Sequence, residues 1–417
     1  MKIVICTFGS LGDVHPKIAL GLELRRRGHE VVFSLMEWYR EKIEMLGFEF
    51  SPLRPNFDIE DRELGRELVD ADKGTEKLIR EILLPNLDLM YEDLMRAVEG
   101  ADLLITGEVV YVAKSVVEKT GIKWVSTSLA PISFFSAYDP SVYPNAIWYD
   151  KLRFMPVFFH QAFFKLVSGV VGRWLEPYRE FRRRLGLDEN HDPVFLGKNS
   201  PSLHLASFSK VLAKPQPDWH SPTLQTGFCF YDGQDDFGKM PEKLTEFLDA
   251  GEPPIVFTLG SAAVMDSRDF FEQSAKAARI LGKRAVLLYG VFNQPPKGLD
   301  ENIVGFEYAP YSQVFPRAAC VVHQGGVGTT AQVLRAGVPH LFMPFSHDQP
   351  DNAARCVRLG VARTISRNAY TAESAAHELR ELLSNPEYKT NALRAKSVVD
   401  SEHGTRIACD AVEEMLK

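Results

Sequence analysis

At about 150 residues per domain, 417 residues predict two to three domains, and a 45% apolar composition fills cores of that size. Forty-eight Lys and Arg stand against 55 Asp and Glu, a formal net charge of −7, so the dominant basic field of a nucleic-acid binder is missing. Five cysteines (Cys6, Cys229, Cys320, Cys356, Cys409) lie far apart with no C-x-x-C pair, which argues against a disulfide framework or a thiolate zinc site and for a reducing, cytoplasmic compartment.

The chain enters an apolar strand directly, residues 2 to 8, without the h-region of an export signal. A glycine turn, Gly9 to Gly12, a helical stretch from Pro16 to Arg27 and a second apolar strand, Glu30 to Leu35, complete a βαβ unit and imply parallel strands. Helix-like Trp38 to Leu46, a short strand Phe48 to Phe50 and a charged helical stretch from Ile59 to Val98 follow. Strand Asp102 to Thr106, helix-like Val110 to Thr120 and strand Lys123 to Ser126 continue a doubly wound α/β pattern. The aromatic stretch Phe154 to Leu175 is interrupted by His160, Lys165 and Arg173 and cannot span a bilayer.

Pro215, Pro217, Pro222, Gly227 and Gly233 mark a connection between Lys214 and Gln234. The pattern then restarts with strand Ile255 to Leu259, turn Gly260-Ser261, helix Arg268 to Leu281 and strands Arg284 to Tyr289 and Ile303 to Phe306. Strand Ala319 to His323, helix Val327 to Ala336 and strand His340 to Met343 complete it. The expected division is residues 1–214, a connection 215–240, a second α/β domain 241–400, and a closing segment 401–417 whose helix, Thr405 to Leu416, is free to pack back on the first domain. Thr7-Phe-Gly-Ser10 and Thr258-Leu-Gly-Ser261 end the first strand of each domain, so two sheet edges facing across a cleft would bring both turns to one ligand.

In Val321-Val-His-Gln-Gly-Gly-Val-Gly-Thr-Thr-Ala-Gln332 a buried strand runs into glycines that open a helix, a geometry suited to phosphate: backbone amides approach the anion and the helix N-terminus adds about half a positive charge. The lysine of a nucleoside-triphosphate loop is missing, and the bland alternative is a turn that only changes direction. Asp348, Gln349 and Asn352 follow the next strand, and an Asp-Gln pair bonds several hydroxyls at once, as a sugar requires. Gly305-Phe-Glu-Tyr-Ala-Pro-Tyr311 offers aromatic faces to a nucleobase.

From Gly305 to Leu359 the sequence resembles the donor-binding domain of the inverting, nucleotide-sugar-dependent glycosyltransferases of family one, which have the two-domain GT-B fold of facing Rossmann-like sheets. Gly9-Ser-Leu-Gly-Asp-Val-His-Pro16 resembles the first loop of its Gly-Asp-x-x-Pro branch, which includes sterol, macrolide, glycopeptide-antibiotic and rhamnolipid glycosyltransferases. The resemblance implies a UDP-sugar or dTDP-sugar co-substrate, with Gly12, Ser261, Gly325, Gly326, Gly328, Thr329 and Thr330 around the diphosphate. It places Tyr308, Pro310 and Tyr311 at the base, and Asp348 and Gln349, with Asn352 nearby, at the sugar. Many relatives have two histidines where this chain has His323-Gln324, and consecutive residues leaving a strand face opposite ways, so either one meets the phosphate. Gln332 stands where many relatives place a ribose-binding glutamate, which leaves uridine and thymidine both open.

The resemblance implies Asp13 as catalytic base, with His15 as the alternative, and a third reading makes Asp13 only a cap for the Pro16 helix. A carboxylate near pKa 3.9 is a poor base unless burial raises it. Glu108 is read as positioning the acceptor or a histidine base, or as a solvated loop residue. Phe134, Phe135, Trp148, Phe159 and Phe163 fall where the family builds its acceptor pocket, and aromatic walls suit a hydrophobic small-molecule or lipid acceptor. Core packing explains many of these side chains equally well. A weak peripheral membrane contact through Arg173, Arg179, Arg182, Arg183 and Arg184 is a further reading. No metal or cofactor is expected, and the one Asp-x-Asp, Asp70-Ala-Asp72, reads as solvated carboxylates. Rival readings are a Rossmann dehydrogenase, disfavoured by Gly9-x-x-Gly12, a nucleotide-sugar epimerase or hydrolase on the same fold, and an inactive nucleotide-sugar-binding protein. A monomer and a homodimer are both compatible with the sequence.

Overall fold

A computed structural model describes residues 1–57, 61–233, 239–291 and 293–417. Two wholly parallel sheets carry the chain. The first contains β1 (Lys2–Cys6), β2 (Glu30–Leu35), β3 (Glu49–Pro52), β4 (Leu103–Thr106), β5 (Lys123–Ser128), β6 (Leu203–Ala206) and β7 (Thr223–Gln225), in the order β3-β2-β1-β4-β5-β6-β7. The second contains β8 (Ile255–Thr258), β9 (Ala285–Leu288), β10 (Ile303–Phe306), β11 (Cys320–His323), β12 (His340–Phe342) and β13 (Ala362–Thr364), in the order β10-β9-β8-β11-β12-β13. Helices cover both faces, which is why the central strands read as unbroken apolar runs: Ile3, Val4 and Ile5 are fully buried, and Ile3 sits between Val31 and Leu103.

The order reverses at β1/β4 in one sheet and at β8/β11 in the other. A doubly wound sheet opens its ligand crevice at such switch points. The turns after β1, β8 and β11 are the three glycine turns singled out in the sequence.

Several expected elements differ. The first helix spans Leu11–Arg26, because Ser10 caps it by accepting from the Gly12 amide at 3.2 Å, and Pro16 lies inside it rather than at its start. The charged stretch from Ile59 to Val98 breaks into Arg62–Leu68, Gly74–Lys77, a π turn Leu78–Leu83, a 3-10 turn Leu84–Asn86 and Leu87–Ala97; Pro85 lacks the amide that a continuous helix would use. Ile59 and Glu60 lie outside the described residues. Trp38 to Leu46 divides into a 3-10 turn, Glu37–Tyr39, and a helix, Arg40–Met45. Within the expected connection, Thr223–Gln225 is the edge strand of the first sheet, so that domain continues past residue 214; residues 234–238 of the connection lie outside the described residues.

The Gly404–Leu416 helix packs against the first domain. Ala408, Cys409, Val412 and Leu416 join that domain's core, and Arg27 pairs with Asp410 and Glu413, each at 2.7 Å. Each large apolar side chain so buried contributes about 1.5–3 kcal/mol. Among the described residues, no helix is long and apolar enough to cross a membrane.

Candidate active site

The first and third glycine turns meet across the cleft. A β-carbon at Gly328 would lie 3.8 Å from the Gly12 Cα, so the N-termini of the Leu11–Arg26 and Val327–Ala336 helices approach each other. Asp13, in the first turn of the former, completes a capping box: its Oδ2 accepts from the Ser10 amide at 2.8 Å. Gly9 has a φ of 135°, and any β-carbon there would strike Asp13, so only glycine lets the carboxylate fold back over the turn. Burial pushes the Asp13 pKa up to about 6; the Ser10 amide opposes the shift, the charge of Glu108 adds to it, and the Lys17 ammonium opposes it again. His15 lies two residues on and turns toward the connection, its ring 5.2 Å from that of Tyr231.

Lys17 escaped the sequence reading. It is buried on the inward face of the first helix, donates to the Thr127 hydroxyl, and is held below the usual lysine range by burial, against the pull of Asp13 and Glu108. The signal was a lysine between Val14 and Ile18, on a helix face otherwise apolar. Glu108 is no solvated loop residue: it accepts from the Leu129 amide at 3.0 Å and from the Ser133 hydroxyl, with Lys198 at 3.4 Å.

On the second-domain side, the two candidates for the phosphate separate. His323 points into the core: its Nδ1 accepts from the Gly325 amide at 3.1 Å, its Nε2 lies 3.1 Å from His340, and burial holds its pKa well below the usual histidine value. It braces the turn as a neutral ring. Gln324 lies under Gly260 and Gly326 instead, and its buried Oε1 has no hydrogen-bond partner among the described residues. Gly260, with φ at 65°, leaves the space that Gln324 fills. Ser261 is exposed on the same turn.

Gly326 caps the Val327–Ala336 helix without a side chain, and the cap comes from a distance: Asp348 Oδ2 accepts from the Val327 amide at 2.9 Å and from Asn352 at 2.7 Å. Asn352, fully buried, also donates to the Gly325 carbonyl at 2.9 Å. Burial pushes the Asp348 pKa up to about 7, opposed by the Val327 and Asn352 amides and increased by the charge of Asp13. A carboxyl near neutrality does not repel an incoming anion as a fixed charge would. The first-turn amides of Gly328 and Thr329, which a helix cannot satisfy internally, point the same way. Thr330 is fully buried and donates to the Gly325 carbonyl at 3.3 Å, so its hydroxyl serves the turn.

Of the other donor candidates, Gln349 spends its Oε1 on the Phe345 and Ser346 amides. Gln332 donates to Asp232 at 3.3 Å, beside the Arg335–Asp232 pair. Tyr311 stacks on Phe315, and its hydroxyl lies 2.8 Å from that of Thr258; Pro310 caps its short helix. Tyr308 is left as the exposed ring of that loop.

The acceptor aromatics divide. Phe134 is core, stacked on Trp219 with centroids 4.1 Å apart, within the apolar cluster that Ala206 and Phe208 share with Leu334 and Phe342 of the second domain. Its neighbour Phe135 adopts a left-handed backbone, φ 49°, which turns its ring outward to Phe195 and within 5.2 Å of Lys198, beside Glu108. Phe163 stacks on Tyr149, Phe159 lies against His160, and Trp148 is exposed. The arginine cluster is not one outward face. Arg182 is buried on Glu118 and Ser115, Arg179 pairs with Glu176, Arg183 with Glu189 and Arg184 with Asp88; each is matched to a local acid.

Among the described residues the domains share an apolar cluster, in which Phe208 and Leu212 of the first meet Leu334 and Cys356 of the second, and polar contacts join them at two further places. At one, Val69 is buried with the second domain's core, His347 Nε2 lies 2.8 Å from the Leu68 carbonyl, and Arg66 approaches Asp266 at 3.6 Å. A cavity of about 1000 Å³ opens beside it, lined by charged side chains including Lys77, Arg80, Asp266 and Arg367. Asp70 accepts from the Asp72 and Lys73 amides there and shapes a turn. At the other, Asp351 accepts from the Val142 amide at 3.0 Å, and Arg355 bridges Asp351 to Asp139.

Comparison with known proteins agrees with this architecture. The family profile described as UDP-glucoronosyl and UDP-glucosyl transferase matches residues 234–403. Over 432 residues the chain is 32% identical to the O-mycaminosyltylonolide 6-deoxyallosyltransferase of Streptomyces fradiae, covering 99% of this chain and 97% of the relative. It is 26% identical over 437 residues to a sterol 3-beta-glucosyltransferase of Saccharomyces cerevisiae, covering 100% of this chain but 35% of that longer protein. Among solved structures it resembles the glycotransferase of kitacinnamycin (TM-score 0.75, 22% identity, 100% and 99% of the two chains). It also resembles Streptomyces glycosyltransferase SsfS6 complexed with thymidine diphosphate (TM-score 0.65, 19% identity, 99% of each).

Proposed function

Because the chain belongs to the UDP-glucoronosyl and UDP-glucosyl transferase family, as a family-one glycosyltransferase of GT-B fold, we propose that it moves a hexose from a pyrimidine nucleoside-diphosphate sugar, UDP-glucose-like or its dTDP counterpart, to a hydroxyl of a hydrophobic acceptor. The observation that carries this reading is the carboxylate of Asp13, raised to about 6, in the first turn of a helix whose Gly12 meets Gly328 of the glycine turn that opens the Val327–Ala336 helix. A base of that pKa is half ionised near pH 6 and takes a hydroxyl proton far better than an ordinary aspartate. His15, turned to Tyr231, is placed less well for the same task.

In this reading the acceptor oxygen attacks the anomeric carbon in line as Asp13 takes its proton, the C–O bond to phosphate breaks, and the configuration inverts. The departing diphosphate is met by the Gly328 and Thr329 amides, Gln324 and Ser261, whose dipoles are fixed before the reaction starts. Tyr308 takes the base. Asp348 and Gln349 border the sugar, and Gln332 lies toward the ribose. Lys17 holds Asp13 and Glu108 in place from below, and Phe135, Phe159 and Phe163 wall the acceptor side. The relatives act on a macrolide and on sterols by name, which supports a bulky apolar acceptor.

Thermal shift with UDP, thymidine diphosphate and NAD tests the donor half. A ligand at 100 times its Kd adds about 2.7 kcal/mol and raises the melting temperature by several degrees. A shift with one pyrimidine diphosphate is expected; a shift with NAD alone would overturn the reading. Product anomers then report inversion, and release of free sugar without transfer would favour a hydrolase instead.

A further inference from the structure

The Val157–Gly172 helix is unusual in what it leaves outside. Of its sixteen residues only His160 is buried. Phe154 just before it and Phe158, Leu166 and Val170 along it are 81%, 70%, 67% and 48% exposed. Phe158, Leu166 and Val170, eight and four residues apart, fall on one side of the helix as an apolar ridge, and Phe154 stands just before its start. Trp148 and Ile147, in the preceding turn, are also more than half exposed. Contiguous exposed apolar surface of this kind marks an interaction site, where single exposed residues would need no explanation.

Charge says what kind of partner fits. The twenty-five residues from Lys151 to Leu175 contain Lys151, Arg153, Lys165 and Arg173 and not one acid, in a chain of 55 acids and net charge −7, and of these cations Arg153 is matched by Asp139 at 3.0 Å. Lys165 and Arg173 are exposed, and their positions place them on the same arc of the helix as the ridge. A second copy of this chain meeting the face across a two-fold axis would bring cation against cation, because the bordering acids, Asp150 and Glu176, are already paired with Arg358 and Arg179. An acidic lipid surface answers both features, taking the ridge into its acyl boundary and the cations at its headgroups.

We propose that the outer face of the Val157–Gly172 helix docks on an anionic lipid bilayer. The contact is carried by the ridge and by Lys165 and Arg173, and not by the arginines from 179 to 184, which are matched to acids of their own domain. This inference is independent of the transfer chemistry, since it holds whatever the acceptor is.

Flotation of the full chain with phosphatidylcholine vesicles, with and without phosphatidylglycerol, tests it. Partitioning to the anionic vesicles should exceed that to the neutral ones by about fivefold for each cation engaged. The double variant Phe158→Ser, Leu166→Ser should lower partitioning by about tenfold or more, and Lys165→Glu with Arg173→Glu should remove the preference for anionic lipid. Both pairs are exposed, so melting temperature and its shift with UDP should match the parent, which separates lost docking from lost fold. Flotation equal to that of a soluble control protein, or unaltered by the serine variant, would overturn the proposal. So would a dimer seen by sedimentation velocity that the serine variant dissolves while vesicles remain unbound.

Discussion

The turns Gly9–Asp13 and Gly325–Thr330 are the same local object, a parallel strand ending in glycine before a helix, yet they are finished in opposite ways. The first caps itself: Ser10 and Asp13 close a box within one turn, and the carboxylate stays at the helix N-terminus. The second has glycine at its cap and no acid in its first turn; its cap arrives from Asp348, twenty-one residues on. One terminus therefore carries a carboxylate of its own and the other, with none in its first turn, has first-turn amides. In the proposed transfer, where the acid is attached, rather than whether the helix is capped, separates the tasks of the two turns.

The sharpest way to break the contrast is Asp13→Asn. Transfer should fall by about a thousandfold, within the range of a lost general base, while thermal shift by UDP or thymidine diphosphate stays within a degree or so. Next, Asp348→Ala removes the remote cap and should weaken nucleotide binding by about tenfold and cost about 1–3 kcal/mol of stability, read from urea melts. Asp348→Asn, which keeps the shape and has no charge to bring near the diphosphate, should bind nearly as the parent does.

A third expectation concerns pH. The acid limb of kcat/KM should fall below about pH 6, where Asp13 takes up its proton. Lys17→Met removes a cation that favours ionised Asp13 and should move that limb upward, with kcat affected more than KM. Smallest is the effect on stability. Both carboxyls have folded pKa values above the unfolded value, so their contribution is complete below about pH 4 and is lost as pH rises through 6 to 7. The double variant Asp13→Asn, Asp348→Asn should therefore gain melting temperature relative to the parent between pH 5 and pH 8.

The central strands of the two sheets were legible because burial on both faces leaves an unbroken apolar run. β6, β7 and β13 were not: Leu-His-Leu-Ala, Thr-Leu-Gln and Ala-Arg-Thr are three or four residues long, and pairing with a neighbour rather than composition makes them strands. The glycine turns were legible for the same reason, since glycine has few other uses there. Orientation was not. His323 and Gln324 had to diverge, but which one entered the core depended on His340 across the strand pair. Phe134 and Phe135 likewise differ by a left-handed residue that periodicity does not announce. Lys17 was hidden because its partners Thr127, Asp13 and Glu108 come from three separate segments.

The Gly404–Leu416 helix ties the closing of the first domain to the making of the second. Cys409 and Val412 are at most 1% exposed within the core of the domain that starts at residue 2, so that core stays open at one side until residues 408 to 416 have been made. An N-terminal domain ordinarily closes first during synthesis. Here the helix that covers it follows the whole second domain, so nearly two hundred residues of translation separate the last strand of the first domain, Thr223–Gln225, from the segment that closes its apolar face.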